Sequence, residues 1–337
     1  MSVSSPRTCF TQPALASQFH LRLNRHNSSR LTPKHVTSDW TEELEAEHAM
    51  RLMEGHFVET ERARVANAAG RAPRDADRFM EWFEQLRATG PGQHDPLFPW
   101  LGQTACFEQM RWFLTQEAAG EAGFEDLVAL TQIKCPARAK LEMARNYWDE
   151  MGRGHERGMH GPMLDATVRE LDLQVSAEDT VWEALALSNL MIALAANRRY
   201  AYQAIGALGA IEMTAPTRVC HVNDGLKRLG VTASARLYFQ LHAGLDIAHS
   251  KAWNEEVIAP LVRENPELCQ PIAEGALMRL EAGARCFSRY RSHFAAAPSR
   301  PRALPAPAHA SIPTPLQFRV AANEKLHRPI GSEAARG

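Results

Sequence analysis

Cysteine is scarce in this sequence and never closely paired. The six cysteines (Cys9, Cys106, Cys135, Cys220, Cys269, Cys286) are scattered over 337 residues without one C-x-x-C. That excludes a disulfide-stapled scaffold and a thiolate zinc site of ordinary spacing. A chain of this length buries a substantial core without staples, so reduced thiols and a cytoplasmic location are expected. Long apolar runs are also missing. Residues 185–196 are interrupted by Ser188 and Asn189, and nothing approaches the roughly 18 apolar residues of a membrane span. Neither sign of charge dominates: 38 Lys+Arg face 39 Asp+Glu, and the pI is near 6.9. No general attraction to nucleic acid or to an anionic membrane follows, and the pair Arg198-Arg199 reads as a solvated helix end. Strict alternation and β-branched runs are lacking as well, which argues against a sheet.

Acidic residues are absent from the first 38 positions, which hold Arg7, Arg22, Arg25, Arg30 and Lys34. The bias resembles a transit peptide, but no clear amphipathic pattern accompanies it. Residues 1–37 are therefore expected to be a disordered basic arm. Capping residues at Ser38-Asp39-Trp40-Thr41-Glu42 open a helical pattern, and residues 38–95 read as an N-terminal helical extension. The Pro- and Gly-rich stretch 90–102 reads as a linker. From there nearly every segment has helical period, with a break expected between 199–212 and 216–229. Residues 96–295 thus form an all-α bundle of about seven or more helices. Prolines every few residues mark 296–337 as a disordered Pro/Ala-rich tail.

What is present is a set of polar groups that an apolar bundle should not tolerate unpaired. The sharpest lies in Y-F-Q-L-H-A-G-L-D-I-A-H-S-K-A-W, where His242, Asp246 and His249 share one face of a mostly apolar helix. A lone core histidine is usually satisfied by a carbonyl, but three such groups on one face fit that account poorly. His242 and His249 sit roughly 10 Å apart along the axis. That is too wide for one ion and suits two ions with Asp246 between them. Imidazole with carboxylate favours iron, manganese or zinc over calcium or magnesium.

A second cluster, N-Y-W-D-E-M-G-R-G-H-E-R-G-M-H, carries Glu150 before a glycine-rich break and His160 after it. H-E-R-G-M-H is one residue too long for the zinc-protease H-E-x-x-H, so its histidines do not share a face. The glycines follow a helix and no strand, which does not suit a phosphate loop. They read as a hinge that re-aims His160 relative to Glu150. Glu212 follows the small-residue run A-I-G-A-L-G-A-I, and a buried position and a solvated helix end are both open. Glu117 and Glu121 share a helix face, where a cation would relieve their repulsion and a solvated face is equally open. The E-x-x-H string at Glu45–His48 is single and lies among other acids, so it is discounted.

These blocks, in this order, resemble the haem-oxygenase-like diiron oxidases, also called iron-containing redox enzymes, over roughly residues 100–290. The resemblance implies a haem-oxygenase-like bundle that binds two Fe ions (Fe(II)/Fe(III)) and no haem. It implies the metal ligands Glu121 (with Glu117 as the alternative), Glu150, His160, Glu212, His242, Asp246 and His249. It also implies activation of dioxygen to oxidise a small-molecule substrate of the amino acid, amine or fatty acid class. An external electron donor and a homodimer are compatible with it, and neither nucleic acid nor membrane is an expected partner. Tyr238 stands one turn before His242, where some relatives carry an additional acid. A haem oxygenase, a cysteine-dependent hydrolase and a non-catalytic scaffold are the rival readings. The carboxylates argue against the first, and no cysteine adjoins the polar clusters as the second requires. The third leaves the polar groups on the surface.

Overall fold

The computed structural model describes residues 13–36 and 40–296. The elements are α1 (Pro13–Leu31), α2 (Trp40–Ala69), α3 (Ala76–Thr89), α4 (Leu97–Gln103), α5 (Phe107–Gly120), α6 (Phe124–Thr131) and α7 (Ala137–Glu150). They continue with α8 (His160–Glu170), α9 (Trp182–Ala196), α10 (Ala201–Arg228), α11 (Leu237–Ala252), α12 (Ala259–Glu264) and α13 (Cys269–Ala296). One π-helical turn, Trp253–Ile258, joins α11 to α12. Among the described residues there is no strand, so the all-α expectation holds. No described helix is long and apolar enough to cross a membrane.

Helix α9 explains the layout. It is apolar all round, burying eleven residues that include Leu185, Leu190 and Leu194, and such a helix belongs in the centre of a bundle. Helices α1, α13, α6 and α5 pack around it, while α10 lies along α13 and α11. The α10–α13 approach is very close. A Cβ at Gly206 would stand 1.9 Å from the Ile272 carbonyl oxygen, and one at Gly275 would stand 1.8 Å from that of Gln203. Only hydrogen fits at either position.

Several sequence expectations need correction. The basic arm is not disordered over residues 13–31, where α1 docks on α9. Its buried face is Ala16, His20, Leu23 and Asn27, a helical spacing in which half the residues are polar, so no apolar stripe betrays it. Asn27 Nδ2 donates to Asn189 Oδ1 at 2.9 Å, and Asn189 Nδ2 donates to the His20 carbonyl at 2.9 Å. The extension at 38–95 does not stand apart either. Phe57, Val58, Phe79 and Phe83 join the same core as α9, α10 and α13, and Arg62 bonds Glu274 at 2.9 Å. The 90–102 linker contains α4, with Leu97 and Leu101 buried. The break expected near residue 215 is absent, because α10 runs straight through Pro216. That proline has no N–H, so the Glu212 carbonyl loses its usual helical donor. Residues 297–337, and with them the expected tail, lie outside the described residues.

Candidate metal centre

The centre begins with a closed loop. Gly152 and Gly154 take φ of 60° and 84°, the left-handed region where glycine carries no penalty. Met151 and Met159 pair as an isolated antiparallel bridge, so the chain leaves α7 and re-enters α8 at nearly one point. Glu150 and His160 flank that bridge, and His160 Nδ1 abuts Glu150 Oε2. The glycine hinge thus does what the sequence suggested. His155 and Glu156, of the rejected H-E-x-x-H reading, are exposed.

Glu212 arrives from the middle of α10, only 2% exposed, which settles it as a buried group. Asn146 Nδ2, one turn before Glu150 on α7, donates to Glu212 Oε1 at 2.6 Å. Helix α11 contributes His242, Asp246 and His249. Two groups of ligand atoms result, each with all members within 4.8 Å of one another: Glu150, His160 and His242, and Glu150, Glu212 and His249. Glu150 belongs to both. Its Oε2 meets His160, while its Oε1 lies 3.8 Å from His249 Nδ1, which is also 3.8 Å from Glu212 Oε2.

The imidazoles are oriented from behind. His242 Nδ1 lies 2.7 Å from the Tyr238 carbonyl, which fixes the proton there and leaves Nε2 as the lone-pair nitrogen. His249 Nε2 lies 3.2 Å from Asp149 Oδ2, which turns Nδ1 toward Glu150 and Glu212. A carboxylate or carbonyl behind a histidine is the usual way a metal-binding imidazole is held. Burial works against the Asp149 anion, but hydrogen bonds from Arg153 and His249 together hold its carboxyl below the usual range.

The electrostatics show what the cluster lacks. Burial, with Glu125 and Asp149 adding to it against the pull of His249, pushes the Glu150 carboxyl up to about 8. Burial and Glu150 push Asp246 to about 8. Glu212 rises well above the ordinary carboxyl value through burial, then Asp246 and Glu150. Burial lowers His160 to about 4, and burial with His160 lowers His242 to about 4. His160 Nδ1, His249 Nδ1 and Glu150 Oε2 are buried without a hydrogen-bond partner. These oxygen and nitrogen atoms converge on one another, and a cation would satisfy them together. The donor set, imidazole and carboxylate, suits iron.

The remaining sequence candidates lie around these groups. Asp246 belongs to neither three-residue group; it is buried beside Glu212 and lines the adjoining cavity. Glu121 caps the end of α5, accepting from the Ala122 and Gly123 amides at 3.1 Å each. Its accessible surface faces the cavity, and burial followed by Glu125 raises it to about 7. Glu117 points away, accepting from the Tyr290 hydroxyl at 2.9 Å, so of the two only Glu121 borders the centre. Sequence reasoning missed Asn146 and Asp149, although both lie within a turn of Glu150. It also missed Glu125, whose Oε1 packs over Gly161 beside His160.

A cavity in two adjoining lobes runs from this cluster between the helices. One lobe touches Glu150, Glu212, His242 and Asp246. The other is lined by Phe98, Phe113, Phe239 and Phe287. Tyr238 and Leu187 face both. Trp112, stacked on His293, and Trp148, half exposed, line neither lobe.

A helical bundle with a buried carboxylate–imidazole centre able to hold metal defines the class. The sequence profile of the iron-containing redox enzymes matches residues 111–284, just over half the chain, and the protein belongs to that haem-oxygenase-like, helical family. It is accordingly an oxidoreductase. No curated protein sequence matches the chain.

Proposed function

We propose that the protein is a non-haem diiron oxidase or oxygenase that uses dioxygen to oxidise a small organic substrate. The observation that carries this reading is Glu150, whose two oxygens face two different sets of ligands. Glu150, His160 and His242 would hold one iron; Glu150, Glu212 and His249 would hold the other. Asp246 and Glu121 stand at the cavity side as further donors. Bound iron supplies the redox chemistry, reduction of dioxygen coupled to oxidation of the substrate. The chain itself orients the imidazoles through Asp149 and the Tyr238 carbonyl. The reading extends to a cytoplasmic enzyme with an external electron donor.

Metal analysis after anaerobic Fe(II) loading tests it. About two irons per chain are expected. Glu150→Ala should abolish uptake at both positions, whereas His160→Ala and His249→Ala should each leave about one. One iron per chain, or haem binding with a Soret band in place of iron uptake, would overturn the proposal.

A further inference from the structure

Two arginines line the aromatic lobe, and among the described residues neither forms an ion pair. Arg279 of α13 faces both lobes, and Arg218 of α10 faces the aromatic one. Among the described residues Arg279 makes no ion pair, and its Nε and Nη1 are buried without a hydrogen-bond partner. Its Nη1 lies over Gly283, where a Cβ would stand 2.8 Å away, so the helix leaves room for it. Arg218 is held by its faces, 5.9 Å from the Phe98 ring centroid and 5.4 Å from that of Phe287. Among the described residues its hydrogen bond is a donation to Thr214 Oγ1 at 2.9 Å.

Unpaired guanidinium groups in an apolar cavity are costly, and proteins rarely keep them without a partner. Glu117 is the one carboxylate near both, and it already accepts from Tyr290. Glu121, which also lines this lobe, accepts from two backbone amides, so among the described residues neither carboxylate is bonded to a guanidinium and the remaining donors of both arginines are free to take an anion. Burial, and then Arg279, pull Arg218 down to about 9, which a bound anion would reverse. Guanidinium forks match carboxylates in a bidentate manner. Phe98, Phe113, Val222, Phe239 and Phe287 give the lobe a largely apolar wall, completed by Tyr238 and the two carboxylates.

We propose that Arg279 and Arg218 anchor the carboxylate of an apolar carboxylic acid, whose hydrocarbon body fills the aromatic lobe next to the metal centre. As a statement about the substrate it rests on the oxidase reading, but the anchor itself requires no metal.

The test is calorimetric titration of the full-length protein, metal-free and iron-loaded. The probes are 4-phenylbutyrate and decanoate, each with its matched alcohol and amine, and acetate. At least one acid should bind tenfold or more tighter than its alcohol in both metal states, with the amine and acetate weaker still. Arg279→Gln should remove most of that preference, and Arg279→Lys should restore part of it. Arg218→Gln should weaken the acid by a smaller factor. Acid and alcohol binding alike, acetate binding as tightly as the larger acids, or acid affinity within twofold in both glutamine variants would overturn the anchor. Acid binding seen only with iron and indifferent to the arginines would mean metal coordination and would also overturn it. Arginine-dependent acid binding in a protein that takes up no iron would sink the oxidase reading and leave the anchor standing.

Discussion

At the scale of single residues, the site is held by side chains that touch no ligand atom. Asp149 fixes His249 from behind, and loss of such a partner typically weakens a metal site 10- to 100-fold. Asp149→Asn is expected to lower Fe(II) affinity by about that factor, measured by chelator competition. Protonation offers a second check. Glu150 and Asp246 have folded values of about 8, raised from 4.5 and 3.8. Their contribution to metal-free stability is therefore complete below the unfolded values and is lost as pH rises through 8. His160 and His242, lowered from 6.5 to about 4, act oppositely: their contribution is present above 6.5 and lost as pH falls through 4. Between pH 6.5 and 8.5 only the carboxylates are changing, so the metal-free melting temperature should fall across that window. Asp246→Asn should flatten the slope, and iron loading should remove it, because metal competes with protons for these oxygens. A pH-independent melting temperature in the metal-free protein would contradict the assignment. The residues nearest in sequence were the readable ones: His242, Asp246 and His249 announce themselves by helical spacing. Arg218 and Arg279 lie on different helices, and nothing in either segment marks them as neighbours.

At the scale of elements, the loop between α7 and α8 sets the ligand geometry. A Cβ at Gly152 would meet the Gly158 carbonyl carbon at 2.3 Å, at a φ that side chains resist. Gly152→Ala should therefore displace His160, leaving the bundle folded by circular dichroism while iron content drops toward one per chain. Helix periodicity located most of these elements, since a 3.6-residue pattern survives in the sequence wherever one face is buried. It failed where the burial was not apolar. Helix α1 buries His20 and Asn27, and α4 hides among prolines and glycines. In α10, tertiary packing overrides the break that Pro216 should impose. The π-turn at Trp253–Ile258 was equally unreadable; Trp253 is buried there and donates to the Ile205 carbonyl at 3.1 Å.

At the scale of the whole molecule, the close α10–α13 contact holds Glu212 on one side and Arg279 on the other in fixed relation to the cavity. Gly206→Ala or Gly275→Ala would force backbones apart, and overpacking of this kind costs about 1–3 kcal/mol or more. A lowered denaturant midpoint is expected, with iron-dependent stabilisation reduced in the same variants. Removal of residues 1–32 should also lower the midpoint, because Asn189 would lose its Asn27 and His20 partners inside the core. An unchanged midpoint would mean that α1 contributes nothing to the fold.

Sequence by itself determined that this chain is helical and that carboxylates and imidazoles sit where apolar residues belong. Those conclusions need only periodicity and the cost of burying charge, both local properties. Tertiary structure decided which of the seven candidate ligands converge, that Glu150 serves both groups, that Asp246 and Glu121 stand at the cavity side, and that two arginines face the same cavity. Convergence depends on how far each helix slides and turns against its neighbours. That is set by close packing across the whole bundle, which no single segment encodes.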